Sequence, residues 1–232
     1  MISSLTVDDL ALEVRWSPRR KTLGLTVDRG GELILSAPIG VDPPVLEAFV
    51  REKRFWIYTK LAEKEALRHP VSRKELVTGE GFPYLGRSYR LLLVNEQTVP
   101  LKLEQGRFKL RRTEVSSGRS HFIRWYTGHA RPWLEERVSR LAPRVGVEPG
   151  RVTVRDLGFR WGSCGKARTL NFHWATILLP PSIIEYIVIH ELVHLLEANH
   201  TPEFWLRVER TMPDYENRKK WLAERGGEIV TL

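Results

Sequence analysis

The stretch SIIEYIVIHELVHLLE, residues 182–197, combines a long apolar run with two histidines and a glutamate at a fixed spacing. An α-helix advances about 100° per residue, so His190 and His194, four positions apart, project from one face of the helix. Two imidazoles placed in this way can bind one metal ion, and Glu191 lies beside them, close enough to act on a water molecule at the metal. This stretch therefore predicts a buried helix that carries a metal site.

The residues on either side predict where this helix begins and ends. Ser182 and Glu185 have the spacing of a capping box, so we expect the helix to begin there. Asn199 is expected to end it in a left-handed conformation. Thr201-Pro202 is expected to begin the next helix as its N-cap and first helical residue. His200 would then lie in a tight corner between two helices.

A third ligand is needed, because a catalytic zinc usually has three protein ligands and one open position for water. His200 can turn back from the corner toward the first two histidines, and we predict it as the third ligand. Glu209 or Glu216 on the following helices could reach the same place in principle. The predicted cofactor is Zn²⁺, with Glu191 as the residue that handles protons during peptide hydrolysis.

At these residues the chain resembles the YgjP-like metallopeptidases, a family related to the SprT-like and WLM zinc peptidases. The resemblance covers nearly the whole chain. It implies a zincin-like metallopeptidase domain that acts on peptide or protein substrates, with His190, His194 and His200 as zinc ligands and Glu191 as the catalytic residue. The motifs that carry it are Arg160-Trp161-Gly162-Ser163-Cys164, Leu170-Asn171-Phe172, the segments 186–194 and 199–205, Ala37-Pro38, Phe55-Trp56-Ile57 and Tyr84-Leu85-Gly86.

The order of predicted elements indicates an α+β fold in two parts. Residues 1–115 read as a β-rich N-terminal module with one helix, expected over 45–66. Residues 116–232 read as the zincin-like, mainly helical metallopeptidase domain with a small sheet. Its first helix, expected over 121–141, contains Pro132, where we expect a kink or a break.

The segment 168–177 is expected to contain a strand that follows a tight turn at Trp161–Cys164. It is either an edge strand that pairs with an extended substrate or an ordinary core strand. Asn171 and His173 in this segment are predicted to contact substrate, although His173 could equally face solvent.

Two further side chains have a functional and a structural interpretation. Tyr215, just beyond the third-ligand helix, is predicted to contact substrate and is a candidate to stabilise the oxyanion, although a packed aromatic is the commoner role. Cys164 could approach the metal as a thiolate, although a buried structural cysteine is the commoner role.

Composition leaves one alternative function open. The chain of 232 residues carries a net charge of +9, from 37 basic and 28 acidic side chains. The charges are scattered, so they could belong to an ordinary solvated surface or could attract nucleic acid. Because some SprT-like relatives act on DNA-bound proteins, the alternative function is a nucleic-acid-associated protein with a structural zinc. A structural site would be closed by four ligands, and no fourth Cys or His is obviously placed to close this one.

Composition also predicts the cellular setting. The longest apolar stretches are far shorter than the roughly 20 residues that a membrane-spanning helix needs. Cys164 is the one cysteine, so the chain cannot form an intramolecular disulfide. We therefore expect a cytoplasmic protein with no membrane association, while the oligomeric state is left open.

Overall fold

The computed structural model describes residues 3–28, 32–66, 74–158, 160–229 and 232. Helices and sheets occur throughout, so the predicted α+β class is confirmed. The chain forms two compact units, Met1–Pro70 and Val71–Leu232. The division between these units, after Pro70, differs from the predicted boundary between residues 115 and 116. The division into two domains at residue 115 stays a prediction.

The first unit contains a four-stranded sheet and two helices. Its sheet has the order β1-β2-β4-β3, in which β2 and β4 are parallel and the other pairs antiparallel. Alternate residues of β2 are buried, as expected for a strand with one face on a core. The helix expected over 45–66 is two helices, because α1 ends at a C-cap residue, Lys53. The elements are β1 (Ser4–Val7), β2 (Leu10–Ser17), β3 (Gly24–Val27), β4 (Leu33–Pro38), α1 (Pro43–Glu52) and α2 (Arg54–Ala66).

The second unit begins with another four-stranded sheet, in the order β5-β6-β8-β7. Two of its hairpins have two-residue turns, Leu85-Gly86 and Gln105-Gly106, in which both residues have positive φ. This is the geometry of the type I′ turn, which matches the twist of the strands and favours glycine. The strands are β5 (Gly81–Tyr84), β6 (Arg87–Val94), β7 (Leu101–Glu104) and β8 (Arg107–Arg111).

A long helix, α3 (Gly118–Val145), forms the centre of the second unit. Its Phe122 ring stacks on Phe82 of the second sheet, with ring centroids 4.1 Å apart, and meets Phe108 at 5.1 Å. These contacts explain why the second sheet belongs to the second unit. The helix does not break at Pro132, because burial of an apolar stripe along its whole length compensates for one lost main-chain hydrogen bond. The buried stripe consists of Phe122, Tyr126, Ala130, Leu134, Val138 and Leu141.

A three-stranded sheet and three helices complete the second unit. The sheet order is β10-β11-β9, so β11 is central, parallel to β9 and antiparallel to β10. The segment 168–177 therefore supplies a core strand, and the predicted turn at Trp161–Cys164 instead contains the edge strand β10. No helix in the described ranges is long and apolar enough to span a membrane. The elements are β9 (Val152–Arg155), β10 (Gly162–Cys164), β11 (Leu170–His173), α4 (Pro181–Val193), α5 (Pro202–Thr211) and α6 (Tyr215–Ile229).

Candidate metal centre

The helix α4 carries the HELVH motif and is apolar on nearly every side, so most of its residues are buried. Its N-cap is Pro180, which offers no side-chain cap, and the predicted capping box of Ser182 and Glu185 is not formed. Glu185 instead pairs with Arg140 and, at 3.5 Å, with Arg137, both on α3. The Glu185 carboxylate, which the local sequence pattern assigned to the helix cap, therefore forms ion pairs with another helix instead.

The second sheet fixes the point where α4 begins. The main-chain N–H groups of Leu85 and Gly86 donate to the carbonyls of Ile177 and Leu178, at 2.8 and 3.2 Å. A Cβ atom on Gly86 would lie 2.8 Å from the Cα of Pro180, closer than real contacts allow. A glycine at this turn thus lets the hairpin approach the N-cap residue of the helix that carries the candidate ligands.

The three predicted histidines come together. His190 lies on α4, His194 caps its C-terminal end, and His200 lies in the connection to α5. One ligand atom from each residue lies within 4.8 Å of the others, and the Nε2 atoms of His190 and His200 are 2.9 Å apart. In the described part of the chain no acidic side chain belongs to this group, so the alternatives Glu209 and Glu216 are not part of it.

His194 is oriented by the turn that follows α4. The helix ends at Val193, earlier than the predicted end at Asn199, and Asn199 does not have the expected left-handed backbone. The chain turns so that the carbonyl oxygen of Glu197 lies 3.0 Å from Nδ1 of His194. This contact occupies Nδ1 and leaves Nε2 of His194 as the nitrogen available to a metal ion.

His200 is oriented by the start of α5. Thr201 is the N-cap and its hydroxyl accepts a hydrogen bond from the N–H of Phe204 at 3.3 Å, and Pro202 is the first helical residue, so the predicted helix start is confirmed. Trp205 stacks on the imidazole of His200, with ring centroids 5.6 Å apart and planes inclined by 22°. The exposed histidine of the three therefore has an aromatic side chain against its ring.

The pKa values of His190 and His200 are lowered, which favours the neutral imidazole that binds a metal ion. Burial, followed by the neighbouring His194, His200 and Lys219, lowers the pKa of His190 to about 3. Burial also lowers the pKa of His200, and His194 and Lys219 act in the same direction. The Nδ1 atom of His190 is buried and has no hydrogen-bond partner among the described residues. A cluster of three imidazole nitrogens fits a metal ion of the zinc type.

Glu191 lies on α4, and its side chain packs against the edge strand β10. Its side chain is buried, and burial raises its pKa to about 8, against the opposing charge of Arg160. A Cβ atom on Gly162 of β10 would lie 2.6 Å from Oε1 of Glu191. The other carboxylate oxygen, Oε2, has no hydrogen-bond partner in the described part of the protein. A carboxylate held in this way can accept a proton from a group in the cavity.

A cavity of about 700 Å³ lies over the three histidines and Glu191. The histidine cluster is thus open on one side to a space that can admit a substrate, as a catalytic site requires. The rest of its wall consists of Arg160, Trp161, Gly162, Ser163, Cys164, Tyr186, Ile187, Ala198 and Leu222.

Sequence reasoning missed Tyr186 as a residue of the site. It precedes His190 by four positions, so Tyr186, His190 and His194 share one face of α4, and this spacing could have found it. The Tyr186 ring lies 6.0 Å from that of His190. Burial raises the pKa of Tyr186 to about 12, so its hydroxyl stays protonated in the cavity wall.

The structure does not bring Asn171 and His173 to the cavity. Asn171 is buried, its Oδ1 accepts from the hydroxyl of Thr153 at 2.7 Å, and its Nδ2 donates to the carbonyl of Ser163 at 3.2 Å. His173 is also buried, and its Nδ1 accepts from the N–H of Ala175 at 3.1 Å. Both side chains fasten β11 to neighbouring segments, and their contact with substrate stays a prediction.

Tyr215 and Cys164 also have defined places. Tyr215 is outside the cavity wall and stacks on Trp205 with ring centroids 5.6 Å apart, so its substrate contact stays a prediction. Cys164 lines the cavity but is not in the ligand group. Burial raises the pKa of its thiol, and the Glu191 charge acts in the same direction.

Three imidazoles, a neighbouring carboxylate and an open cavity lie together, an arrangement that suits metal-assisted hydrolysis. The YgjP-like metallopeptidase domain model matches residues 21–225, so the chain belongs to the YgjP-like family, and the family supports metallopeptidase activity. No curated protein matches the chain. Among solved structures, the chain is similar to the crystal structure of the metallopeptidase zymogen of Pyrococcus abyssi abylysin. The identity is 26% over 38% of this chain and 89% of that chain, with a TM-score of 0.35.

Proposed function

We propose that this protein is a zinc-dependent endopeptidase in which His190, His194 and His200 bind the metal ion and Glu191 is the general base. The observation that carries the proposal is that the three ligand atoms lie within 4.8 Å of one another, beside Glu191, in the wall of one cavity. Three nitrogen ligands with an open side are typical of catalytic zinc, whereas structural zinc usually has four protein ligands.

Each residue has a distinct role in the proposed reaction. Zinc supplies Lewis-acid chemistry, activating the attacking water and polarising the scissile carbonyl. Glu191 takes the water's proton at Oε2, the oxygen without another partner, and passes it to the leaving amine. The protonated hydroxyl of Tyr186 donates a hydrogen bond to the oxyanion from the cavity wall.

The proposed substrate is an extended peptide that pairs with β10. This strand is at the edge of its sheet, and Gly162, Ser163 and Cys164 all line the cavity. An edge strand presents main-chain N–H and C=O groups that can pair with another chain, and many proteins bind peptides by adding a strand in this way. Glu191 lies directly against Gly162, so a peptide on β10 would pass close to the general base.

The test compares zinc content and cleavage of a denatured protein in three purified forms. Glu191→Gln should bind zinc as wild type does and lose about 10²–10⁴ in kcat, because the amide cannot accept the proton. His194→Ala should lose zinc and cleavage together. Equal cleavage by wild type and Glu191→Gln, or no cleavage by wild type that holds one zinc per chain, would overturn the proposal.

The net charge of +9 favours a second candidate, a nucleic-acid-associated protein with a structural zinc. The open side of the histidine cluster argues against a structural site. Affinity for a DNA duplex, measured at several salt concentrations, decides between the two. A steep fall of affinity with salt, together with zinc binding and no proteolysis, would support this candidate, and the absence of DNA binding would dismiss it.

A further inference from the structure

Besides Tyr186, three large apolar side chains line the cavity, and each comes from a different element. Trp161 lies just before β10, Ile187 lies on α4, and Leu222 lies on α6. Trp161 and Leu222 are only partly buried, so a molecule that enters the cavity can contact them. We call these three side chains the apolar wall.

Two members of the apolar wall are held in place by the surrounding fold. A Cβ atom on Gly226 of α6 would lie 3.0 Å from both Cδ1 of Leu222 and Cζ2 of Trp161, so both side chains pack against this glycine and adjoin each other. The main-chain carbonyl of Trp161 accepts hydrogen bonds from the N–H of His173 at 2.9 Å and from the hydroxyl of Thr176 at 3.2 Å. The surface is therefore formed before a ligand arrives, which lowers the entropic cost of binding.

The apolar wall begins next to the proposed general base. Ile187 precedes Glu191 by four positions, so the two side chains share one face of α4. Trp161 directly precedes Gly162, which packs against the Glu191 side chain from β10. A substrate side chain that contacts the apolar wall therefore belongs to a residue close to the bond that is cleaved.

The polar groups of the cavity do not compete with such a contact. Arg160 and Glu191 are the charged residues among the described residues of the wall besides the histidines, and their formal charges are opposite. The hydroxyl of Ser163 accepts a hydrogen bond from Nδ2 of Asn171 at 3.3 Å, so it is fastened to β11. Apolar contact uses the surfaces of side chains and no hydrogen-bonding group, so it leaves the polar interactions of Trp161 and Arg160 in place.

We propose that the apolar wall is a side-chain subsite that selects peptides with a large apolar residue, such as Leu or Phe, next to the scissile bond. The inference rests on the proposed peptidase function. Burial of an apolar side chain against Trp161, Ile187 and Leu222 removes apolar surface from water on both partners, and this favours binding in proportion to the area buried. The three residues determine specificity through contact with the substrate and take no part in the transfer of protons.

Binding to the zinc-loaded Glu191→Gln protein tests the subsite separately from catalysis. The probes are labelled peptides with blocked ends, in which one residue of a frame rich in Ser and Gln is Leu, Ala, Glu or Lys. We expect the Leu peptide to bind about tenfold more tightly than the Ala peptide, and the Glu and Lys peptides to bind no more tightly than the Ala peptide. The preference should persist at high salt, because salt screens charges and not apolar contacts. Equal binding of the Leu and Ala peptides, or tightest binding of a charged peptide, would overturn the inference.

Changes at Leu222 in the same protein assign the preference to the apolar wall. Leu222→Ala removes apolar surface and should reduce the preference for Leu over Ala to about threefold or less. Leu222→Trp fills part of the cavity and should abolish the preference, because less space is left for a large side chain beside Trp161. Leu206→Ala removes the same atoms from an exposed position of α5 outside the cavity wall and should leave the preference unchanged. A full preference in both Leu222 variants, or an equal loss in the Leu206 control, would overturn the inference.

Cleavage of the same peptides by wild type separates this inference from the proposed function. We expect kcat/KM to follow the binding preference, and mass spectrometry of the products to show a cut at one of the two peptide bonds of the Leu residue. Selective binding without cleavage of any peptide would overturn the peptidase proposal while the apolar subsite stands. Cleavage of all four peptides at equal rates would support the peptidase and overturn the specificity.

Discussion

An alanine in place of Gly162 would put a methyl group against the side chain of Glu191. The added Cβ would lie 2.6, 2.7 and 2.8 Å from Oε1, Cγ and Cδ of Glu191. Carbon atoms in favourable contact are about 3.5–4.0 Å apart, so all three distances are far too short. Because Cγ is among the atoms that clash, turning the end of the carboxylate does not relieve the overlap. Either β10 moves away from α4 or the whole Glu191 side chain leaves its position.

Both outcomes reduce the rate of catalysis more than they reduce zinc binding. Overpacking of this kind costs about 1–3 kcal/mol of folding free energy. Loss of a positioned general base typically lowers kcat by about 10²–10⁴. The added methyl group has its three nearest contacts on Glu191 and none on a candidate zinc ligand. We therefore expect Gly162→Ala to bind zinc as wild type does and to lose at least about a hundredfold in kcat.

The assay measures zinc content, kcat on a peptide substrate and the midpoint of thermal unfolding in the same preparations. Gly165→Ala is the matched control, because its Cβ would have its nearest contact at 3.3 Å, with Nδ2 of Asn171, and none with Glu191. This control should keep its kcat within about threefold of wild type. Full activity of zinc-loaded Gly162→Ala would refute the inference that β10 positions the carboxylate. An equal loss in the control would indicate general distortion of the strand.

Three further predictions concern the supports of the site. In urea unfolding, Gly86→Ala should lower the free energy of unfolding by about 1–3 kcal/mol more than Gly106→Ala does. The two glycines have nearly the same φ, 74° and 73°, but of the two only Gly86 has a close neighbour, Pro180. Equal losses would show that the backbone conformation alone is responsible. Trp205→Ala should weaken zinc binding about 10–100-fold in competition with a chelator, while Trp205→Phe, which keeps a ring on His200, should retain it; equal affinities would exclude a positioning role. Removal of zinc should abolish cleavage and lower the free energy of unfolding, and added zinc should restore both. The loss of free energy should be about 2.7 kcal/mol relative to protein with free zinc at 100 times its Kd. A thermal midpoint independent of zinc would contradict binding to the folded protein.

The meeting of the three histidines could be predicted because it depends on short segments. The spacing of His190 and His194 places both on one face of any helix that forms there, whatever surrounds it. Thr201-Pro202 begins the next helix through a local cap, and this leaves His200 in the corner between them. Such geometry needs no knowledge of distant residues.

The supports of the site could not be predicted in the same way, because they depend on pairings between distant segments. The strand β10 is three residues long, too short for an alternating pattern, and it exists because Gly162–Cys164 pairs with β11. The capping box at Ser182 and Glu185 fits the local rules, yet Glu185 pairs with arginines of α3 instead. Pro132 predicts a kink or a break from local chemistry, whereas the packing of the whole helix keeps it continuous.

Three separate contacts support different parts of the candidate site. Gly86 packs against the start of α4, Gly162 packs against the carboxylate of Glu191, and Trp205 packs against the ring of His200. Because each contact acts on a different part, the corresponding variants should affect different quantities: the free energy of unfolding, kcat, and zinc affinity. If all three variants instead changed zinc affinity and kcat in the same proportion, the ligands and the general base would be coupled through α4, and the carboxylate could not be displaced without displacing the metal.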